Sequence, residues 1–223
     1  PGRERIISRR IGRFVWDRRV LAVLAAVAIL LAGRIWLNEH PEHNPWAPLD
    51  LRDPAGWATA AKLRALAGDA PACRAVLARS QIAYTALPAA GEGACARPDR
   101  TVLDAYPFSP DNPATTCAVG IALTLWQRDA LAPAAEELFG SKVTRIEHLG
   151  TFSCRRLYGR GSGPWSEHAT GNAIDIAGFV LADGTRISVL RDWTEGGVKA
   201  EFLHRARDGA CRSFATVLSP DYN

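Results

Sequence analysis

The sequence predicts an α+β domain whose helices pack on a small, mainly antiparallel sheet and which carries one transmembrane helix at its N-terminus. Three observations support this prediction. Residues 20–33 contain no charged side chain and follow a block of arginines. Residues 113–140 place apolar side chains at three- and four-residue spacing, which is typical of a helix that buries one face. Residues 172–190 form two β-like runs around Asp183-Gly184, a preferred pair for the turn of a hairpin.

The composition is that of an ordinary globular protein, with 48% hydrophobic and 22% charged residues among 223. A chain of this length has room for one sizeable core. Its formal charge of +4 is unevenly spread, because residues 1–37 hold eight arginines against Glu4 and Asp17, a balance of +6 that leaves 4 − 6 = −2 for the rest. The positive charge therefore belongs to the N-terminal segment, and we expect no nucleic-acid partner.

The apolar segment from Val20 to Leu37 approaches the roughly 20 residues that a helix needs to cross a bilayer. Because basic residues stay on the cytoplasmic side, residues 1–19 are predicted to be cytoplasmic and everything after residue 37 periplasmic. A cleaved signal peptide, whose apolar region has a similar length, is the alternative. No clear Ala-x-Ala pair follows the apolar run, which favours an uncleaved anchor (residues 20–37) in the inner membrane.

Residues 38–53 contain three prolines and are predicted to be a periplasmic linker ahead of the domain at residues 54–223. The domain is predicted to begin with a short helix that Asp53 caps and Pro54 opens. The next predicted elements are a helix over residues 70–78, with Cys73, Val76 and Leu77 on one face, and a strand over residues 82–87.

The helical region between Pro113 and Gly140 is predicted to have two parts. Thr115 or Thr116 caps the first part, Pro133 interrupts the pattern and opens the second, and Gly140 ends it. The elements predicted after it are strands over residues 143–149 and 151–153, a hairpin of residues 172–181 and 185–190, a helix over residues 199–207 that Gly209 ends, and a strand over residues 214–218.

The five cysteines all lie beyond the apolar segment and form no Cys-x-x-Cys pair: Cys73, Cys95, Cys117, Cys154 and Cys211. This spacing fits neither a zinc ribbon nor a thioredoxin-like motif, and it favours disulfides in an oxidising compartment. The odd number leaves at least one thiol without a partner in the same chain, and the sequence leaves the pairing open.

Asp175 lies in the run 173–181, whose other residues are all apolar or glycine. An ionised carboxylate buried among such residues costs several kcal/mol unless a cation or several donors satisfy it. A strand through Asp175 would place Ala173, Ala177 and Phe179 on the same face. A divalent metal shared with His168, seven residues earlier, would satisfy the charge. A hydrogen bond between His168 and Asp175 that orients a loop is the alternative, and the pair alone does not decide between the two.

The pattern Ser166-x-His168-x-x-Gly171-x-Ala173-x-Asp175 resembles that of the D-alanyl-D-alanine carboxypeptidase, lysostaphin and Hedgehog superfamily of zinc peptidases. A closer resemblance, over nearly everything after residue 43, is to the bacterial extensin-like C-terminal domain family. The segments that carry it are Asn44-Pro45-Trp46-Ala47-Pro48-Leu49-Asp50-Leu51, Ser153-Cys154-Arg155-Arg156, Asp208-Gly209-Ala210-Cys211 and Val217-Leu218-Ser219-Pro220-Asp221-Tyr222-Asn223.

The resemblance implies that His168 and Asp175 are ligands of a zinc ion. It also implies that Arg155 holds a substrate carboxylate, although a surface ion pair fits that residue equally well. Ser166 would contact substrate or, more simply, cap its loop with its hydroxyl. His148 is a candidate for a neighbour that orients the metal ligands through hydrogen bonds.

In the superfamily a His-x-His element further along the chain supplies the third zinc ligand. Related sequences continue past the Pro-Asp-Tyr-Asn segment, so we expect the third ligand and any general base beyond Asn223, with the domain at 54–223 truncated at its C-terminus. His204 is the one histidine after His168, and its apolar and basic neighbours favour a position on the surface of a helix.

The function that the resemblance implies is zinc-dependent hydrolysis of amide bonds in peptidoglycan stem peptides by a membrane-anchored protein of the cell envelope. Zinc would activate a bound water and polarise the scissile carbonyl. A domain that binds the cell wall without cleaving it, and a purely structural disulfide-bonded domain, are the alternatives.

Overall fold

A computed structural model describes residues 15–222, and its architecture is mixed α+β, as the sequence predicts. The helices are α1 (Val15–Glu39), α2 (Thr59–Ala65), α3 (Ala70–Arg79), α4 (Cys117–Trp126), α5 (Ala132–Phe139), α6 (Val189–Asp192) and α7 (Gly197–Ala210). The strands are β1 (Tyr84–Ala86), β2 (Thr101–Leu103), β3 (Phe108–Ser109), β4 (Val143–Gly150), β5 (Asp175–Leu181) and β6 (Arg186–Ser188).

Helix α1 is long and apolar enough over Arg18–Glu39 to cross a membrane, and this stretch is not buried against the rest of the protein. Its length and composition agree with the predicted anchor, although a signal sequence passes the same test. The orientation in the membrane stays a prediction. Most of the segment predicted to be cytoplasmic, residues 1–14 of 1–19, lies outside the described residues.

The main sheet has the strand order β3-β4-β5-β6, in which only β3 and β4 run parallel; β1 and β2 form a separate antiparallel pair. Helices α4 and α7 pack against the main sheet through aromatic side chains. The ring of Phe179 on β5 lies 5.2 Å from that of Phe202 on α7 and 6.0 Å from that of Trp126 on α4, all distances between centroids. These three buried aromatic residues join the sheet to two helices in one core.

Two predicted helix starts have different outcomes. Helix α3 begins as predicted, with Pro71 in its first turn, and the side chain of Asp69 caps it by accepting a hydrogen bond from the Ala72 N–H at 2.9 Å. The predicted start at Asp53-Pro54 is wrong, because α2 begins at Thr59. The backbone around Asp53 is instead held in a turn, where the Asp53 N–H donates to the Asp50 carbonyl at 3.2 Å.

The second helical segment predicted to start at Pro133 is confirmed, because α5 has Pro133 in its first turn, but no gap in the chain separates it from α4. Thr116 caps α4 as one of the two predicted candidates, and the chain then continues through a π-helical turn over Gln127–Leu131 directly into α5. A π-helical turn shifts the backbone hydrogen bonds of the helix. Pro133, which has no N–H to donate, comes just after this turn, so the helical chain continues through the proline. Gly140 ends α5 in the left-handed conformation (φ 58°), as predicted.

Gly209 was predicted to end the last helix, but it lies inside α7. A Cβ atom at this position would stand 2.2 Å from the Cβ of Ala130 in the π-helical turn. The glycine therefore permits close packing of two helical segments and does not end the helix. The strand predicted after it, over residues 214–218, is wrong, because the Phe214 N–H donates to the Ala210 carbonyl and continues the turns at the end of α7.

The predicted hairpin is confirmed, with β5 and β6 antiparallel around Asp183-Gly184. Its second strand is shorter than predicted, because the Ser188 side chain caps α6 by accepting from the Arg191 N–H. The strand predicted over residues 151–153 is wrong. Its backbone is engaged by the loop of His168, since the Ser153 N–H donates to the His168 carbonyl at 3.0 Å.

Disulfides join Cys73 to Cys117 and Cys95 to Cys154, and Cys211 is exposed and free. The first bond ties α3 to α4. The second ties the loop that precedes β2 to the segment that follows β4. Both agree with the predicted oxidising compartment.

Candidate metal centre

His168 lies in a single 3₁₀ turn over Glu167–Thr170. The buried hydroxyl of Ser166 accepts a hydrogen bond from the His168 N–H at 3.3 Å and starts the turn, and Gly171 ends it in the left-handed conformation (φ 72°). Ser166 therefore has the loop-capping role that was one of its two predicted roles; its contact with substrate stays a prediction.

Two hydrogen bonds fix this turn against the segment that follows β4. The Ser153 N–H donates to the carbonyl of His168 at 3.0 Å, and the Ser166 N–H donates to the carbonyl of Arg155 at 3.1 Å. The disulfide of Cys154 lies between these two contacts. The backbone around His168 is thus hydrogen-bonded on one side to a segment that a disulfide ties to Cys95.

Thr116 and Asn172 hold the other side of the turn. The Thr116 hydroxyl donates to the Asn172 side-chain oxygen at 2.8 Å, and the Asn172 amide donates to the carboxylate of Glu167 at 2.7 Å. The Thr116 N–H also donates to the carbonyl of Gly171 at 3.0 Å. Sequence reasoning found Thr116 only as a helix cap and missed Asn172, because partners 56 residues apart leave no local signal.

The imidazole of His168 and the carboxylate of Asp175 meet at the start of β5. Nε2 of His168 lies 3.3 Å from Oδ1 of Asp175, and Nδ1 of His168 lies 3.3 Å from the carbonyl oxygen of Thr151. The side chain of His168 is 14% exposed and that of Asp175 is 58% exposed. The pair therefore lies at the surface, with the carboxylate accessible to solvent.

The expected burial of Asp175 among apolar residues is wrong, and so is the predicted face that it shares with Phe179. In the pairing of β4 with β5, Glu147 lies opposite Gly178 and His148 opposite Ile176, so Ala177 is an extra residue on β5. Such a bulge reverses the alternation of faces. The core accordingly receives Ile174 and Ile176 before the bulge but Phe179 and Leu181 after it.

The donor atoms of the pair fit two positions around a zinc ion. Zinc is bound at about 2.0–2.2 Å by histidine nitrogen and carboxylate oxygen, and a tetrahedral angle between two such bonds separates the donors by about 3.4 Å. The observed 3.3 Å between Nε2 of His168 and Oδ1 of Asp175 agrees with that separation. Among residues 15–222 no cluster of three or more His, Cys, Asp or Glu side chains is present, so this part of the chain offers two ligands.

His148 lies on β4, one strand away from Asp175, with its side chain 5% exposed. Its Nε2 atom lies 3.0 Å from the carbonyl oxygen of Asp111, and its ring meets the edge of Phe108 at 5.4 Å between centroids. Its Nδ1 atom is buried and has no hydrogen-bond partner among the described residues. The observed contacts of His148 are therefore with the segment 108–111, and its predicted role beside the metal stays a prediction.

Two arginines border the turn. The side chain of Arg155 is exposed and forms no hydrogen bond or ion pair with any residue between 15 and 222. Arg97, which sequence reasoning missed, has its guanidinium carbon 3.6 Å from the centroid of the Phe152 ring.

His204 lies on α7 as predicted, with its ring 4.6 Å from that of Trp193.

Comparison with known families gives one match. Residues 71–223 match the sequence profile of a family described as extensin-like protein C-terminus. Comparisons with curated proteins and with solved structures gave no match. The matched segment includes both disulfides, the main sheet and the His168–Asp175 pair.

Proposed function

The chain belongs to the extensin-like protein C-terminus family, and from this membership and the His168–Asp175 pair we propose that it is a membrane-anchored, zinc-dependent peptidase acting on peptidoglycan stem peptides in the periplasm. The observation that carries the proposal is the 3.3 Å separation between Nε2 of His168 and Oδ1 of Asp175. The two disulfides and the apolar helix α1 fit a domain of the cell envelope.

The contacts of His168 suit the role of a metal ligand. A neutral imidazole that donates from Nδ1 to the carbonyl of Thr151 keeps its lone pair on Nε2, the atom that lies beside Asp175. Metal-binding histidines in proteins are commonly oriented by such a hydrogen bond to a backbone carbonyl. Thr151 is itself fixed, because its hydroxyl donates to the carbonyl of Ala114 at 2.8 Å.

The described residues would hold the ion and position a substrate next to it. His168 and Asp175 would be two of its ligands. Bound zinc would lower the pKa of its water and polarise the scissile carbonyl. Arg155, whose guanidinium has no partner among residues 15–222, would hold a carboxylate of the substrate with its paired donors.

The zinc content of the purified protein is the first test. The protein is expressed from its full reading frame, so that any ligand beyond Asn223 is included, and zinc is measured by mass spectrometry. We expect one ion per chain, lost in His168→Ala and in Asp175→Ala. His204→Ala is the matched control and keeps the ion, because His204 packs against Trp193 on α7. A wild-type protein without zinc after refolding with the metal would exclude the proposal.

A domain that binds the cell wall without cleaving it is the second candidate. The observation that favours it is that residues 15–222 supply two metal ligands, one fewer than the three of catalytic zinc sites. Incubation of the zinc-loaded protein with purified peptidoglycan, followed by mass analysis of the soluble products, separates the two functions. New peptide termini support the peptidase. Sedimentation of the protein with intact peptidoglycan, without such products, supports the binding domain.

A further inference from the structure

Arg97 is held in a fixed position next to the turn of His168. Its Cδ atom is 3.7 Å from the point that a Cβ on Gly171 would occupy, and Gly171 ends that turn. Its backbone pairs with that of Ala90 in both directions, at 2.7 and 3.2 Å. The loop that carries Arg97 therefore packs against the end of the turn that holds His168.

The disulfide between Cys95 and Cys154 brings the segments of Arg97 and Phe152 together. Arg97 follows Cys95 by two residues and Phe152 precedes Cys154 by two, and the guanidinium carbon of Arg97 lies 3.6 Å from the centroid of the Phe152 ring. Phe152 in turn follows Thr151, whose carbonyl contacts the His168 ring. An arginine held in this way loses little side-chain freedom when it binds a ligand.

The positive charge of Arg97 is not balanced by an acidic neighbour. Its guanidinium forms no hydrogen bond or ion pair with a described residue, and its Nε atom is buried without a partner. Burial and the neighbouring Arg100 lower the pKa of Arg97. Nε of Arg100 is likewise buried and unpartnered within residues 15–222, while a terminal guanidinium nitrogen of Arg100 donates to the carbonyl of Pro88 at 3.0 Å.

The nearest acidic residue in sequence is already engaged. Asp99 accepts hydrogen bonds from Arg74 at 2.9 Å, from the hydroxyl of Thr101 at 2.9 Å and from the Cys117 N–H at 2.6 Å. Two arginines are thus present for which the structure shows no ion pair with a carboxylate among residues 15–222. The terminal guanidinium nitrogens of Arg97 are not among the buried atoms and form no hydrogen bond with a described residue, so they are the donors that an anionic ligand could meet.

We propose that Arg97, assisted by the charge of Arg100, is a binding site for the carboxylate of a peptide that lies across the His168–Asp175 pair. The identity of the peptide rests on the proposed function, whereas the preference for an anion follows from Arg97 and its surroundings. This site is distinct from the one expected at Arg155, which would hold a different carboxylate of the stem peptide, one that the test dipeptide lacks; Arg155 is exposed.

The test compares two peptides that differ in one charge. N-acetyl-D-alanyl-D-alanine and its C-terminal amide are titrated into the full chain in detergent micelles with zinc removed, and affinities are measured by calorimetry. We expect the free acid to bind about tenfold more tightly than the amide, the size of one hydrogen bond to a charged group. Arg97→Gln is expected to abolish this ratio. Arg160→Gln is the matched control and keeps it, because Arg160 lies over the exposed Tyr158 at 5.2 Å.

The outcomes that would overturn the proposal are distinct. It is wrong if the acid and the amide bind equally or not at all, if Arg97→Gln keeps the ratio, or if Arg155→Gln alone removes it. A titration with inorganic phosphate tests whether the site prefers a different anion. Tighter binding of phosphate than of the dipeptide would exclude a carboxylate site. Arg97→Lys, which keeps the charge without the guanidinium fork, covers the case in which Arg97→Gln does not fold, and it is expected to lower the ratio partly.

Failure of this proposal can be told apart from failure of the proposed function. The titrations contain no zinc, so a protein that never binds the metal can still show the acid-to-amide ratio at Arg97. A protein that binds zinc through His168 and Asp175 but shows no such ratio keeps the proposed function and loses the carboxylate site.

Discussion

Nε2 of His168 lies 3.3 Å from Oδ1 of Asp175, across the junction between a 3₁₀ turn and the first residue of β5. The two side chains differ in what holds them. The turn of His168 is hydrogen-bonded to Ser153 and, through its flanking residues, to Arg155 and Thr116. Asp175 is the first residue of β5, and most of its side chain is in solvent. The pair therefore combines an imidazole on a hydrogen-bonded turn with a carboxylate that is mostly in solvent.

Replacement of Asp175 is expected to affect metal binding far more than folding. An ion pair with one partner more than half exposed contributes about 0–1 kcal/mol to the free energy of unfolding. Asp175→Asn should thus unfold in urea within about 1 kcal/mol of wild type when zinc is absent. With zinc in excess, only the wild type should gain stability, because metal that binds the folded state stabilises it. Equal stabilisation of both proteins by zinc would contradict the assignment of Asp175 as a ligand.

Two glycines inside helices should respond in opposite directions to alanine. Gly209→Ala would bring a Cβ to 2.2 Å from that of Ala130, and such overpacking costs about 1–3 kcal/mol of unfolding free energy. Gly120→Ala is the matched control in α4, where the nearest atoms to the new Cβ are side-chain carbons of Leu103, the closest at 3.4 Å. The better helix propensity of alanine, about 1 kcal/mol, should then leave Gly120→Ala neutral or stabilised in chemical denaturation. A stabilised Gly209→Ala would show that α7 does not pack against the π-helical turn as described.

The sequence predicted those elements whose signals are local. Pro71 and the apolar face that follows it predicted α3, Asp183-Gly184 predicted the hairpin, and Gly140 predicted the end of α5. The errors come from distant contacts that no local pattern contains. Gly209 resembles a stop signal, yet it is a glycine because Ala130 of another element approaches it.

The candidate site shows the same division between local and distant information. The residues His168 and Asp175 were found from their types and spacing, but the environment of Asp175 was predicted wrongly. A single extra residue, Ala177, shifts the strand by one position, and its bulge depends on the pairing with β4. Arg97 was missed because its position beside the candidate site depends on the contact with Phe152 and on a disulfide whose pairing the sequence leaves open.

The disulfide between Cys95 and Cys154 should matter for the site as well as for stability. The bond closes a loop of 59 residues, for which the chain-entropy estimate is about 4 kcal/mol. Cys95→Ala combined with Cys154→Ala should lower the unfolding free energy and weaken binding of the acid dipeptide, since Arg97 and Phe152 lose their connection. Cys73→Ala with Cys117→Ala should lower stability similarly and, under conditions where the protein stays folded, leave that binding unchanged. Equal loss of binding in both double variants would contradict a local role for the Cys95–Cys154 bond.

Acid should destabilise the protein partly through Asp50. Hydrogen bonds from Arg52 lower the pKa of Asp50 to about 2. A carboxyl group whose pKa is lower in the folded state contributes stability above its unfolded pKa, and this contribution is lost as the pH falls from about 4 through 2. Asp50→Asn should therefore show a shallower loss of stability over that range in urea unfolding at a series of pH values. An unchanged slope would show that Arg52 does not hold Asp50 in solution.

Trp57 should lie close to the membrane if α1 spans it. The ring of His43 lies 5.3 Å from that of Trp36 in α1 and 5.8 Å from that of Trp57, so the two indole rings are within about 11 Å of each other. Trp57 is 71% exposed, and amphipathic indole rings favour the boundary between headgroups and acyl chains.

Fluorescence quenching by lipids brominated at shallow positions of the acyl chain measures this proximity in reconstituted vesicles. The Trp57→Phe protein should lack part of the quenchable emission of the wild type. Trp165→Phe, which changes a tryptophan near the candidate metal centre, should leave the quenchable fraction unchanged. His43→Ala removes the ring between the two indoles and should reduce the Trp57 component. Quenching that is the same in wild type and in Trp57→Phe would mean that the start of the domain stands away from the bilayer, as a spacer at residues 38–53 predicts.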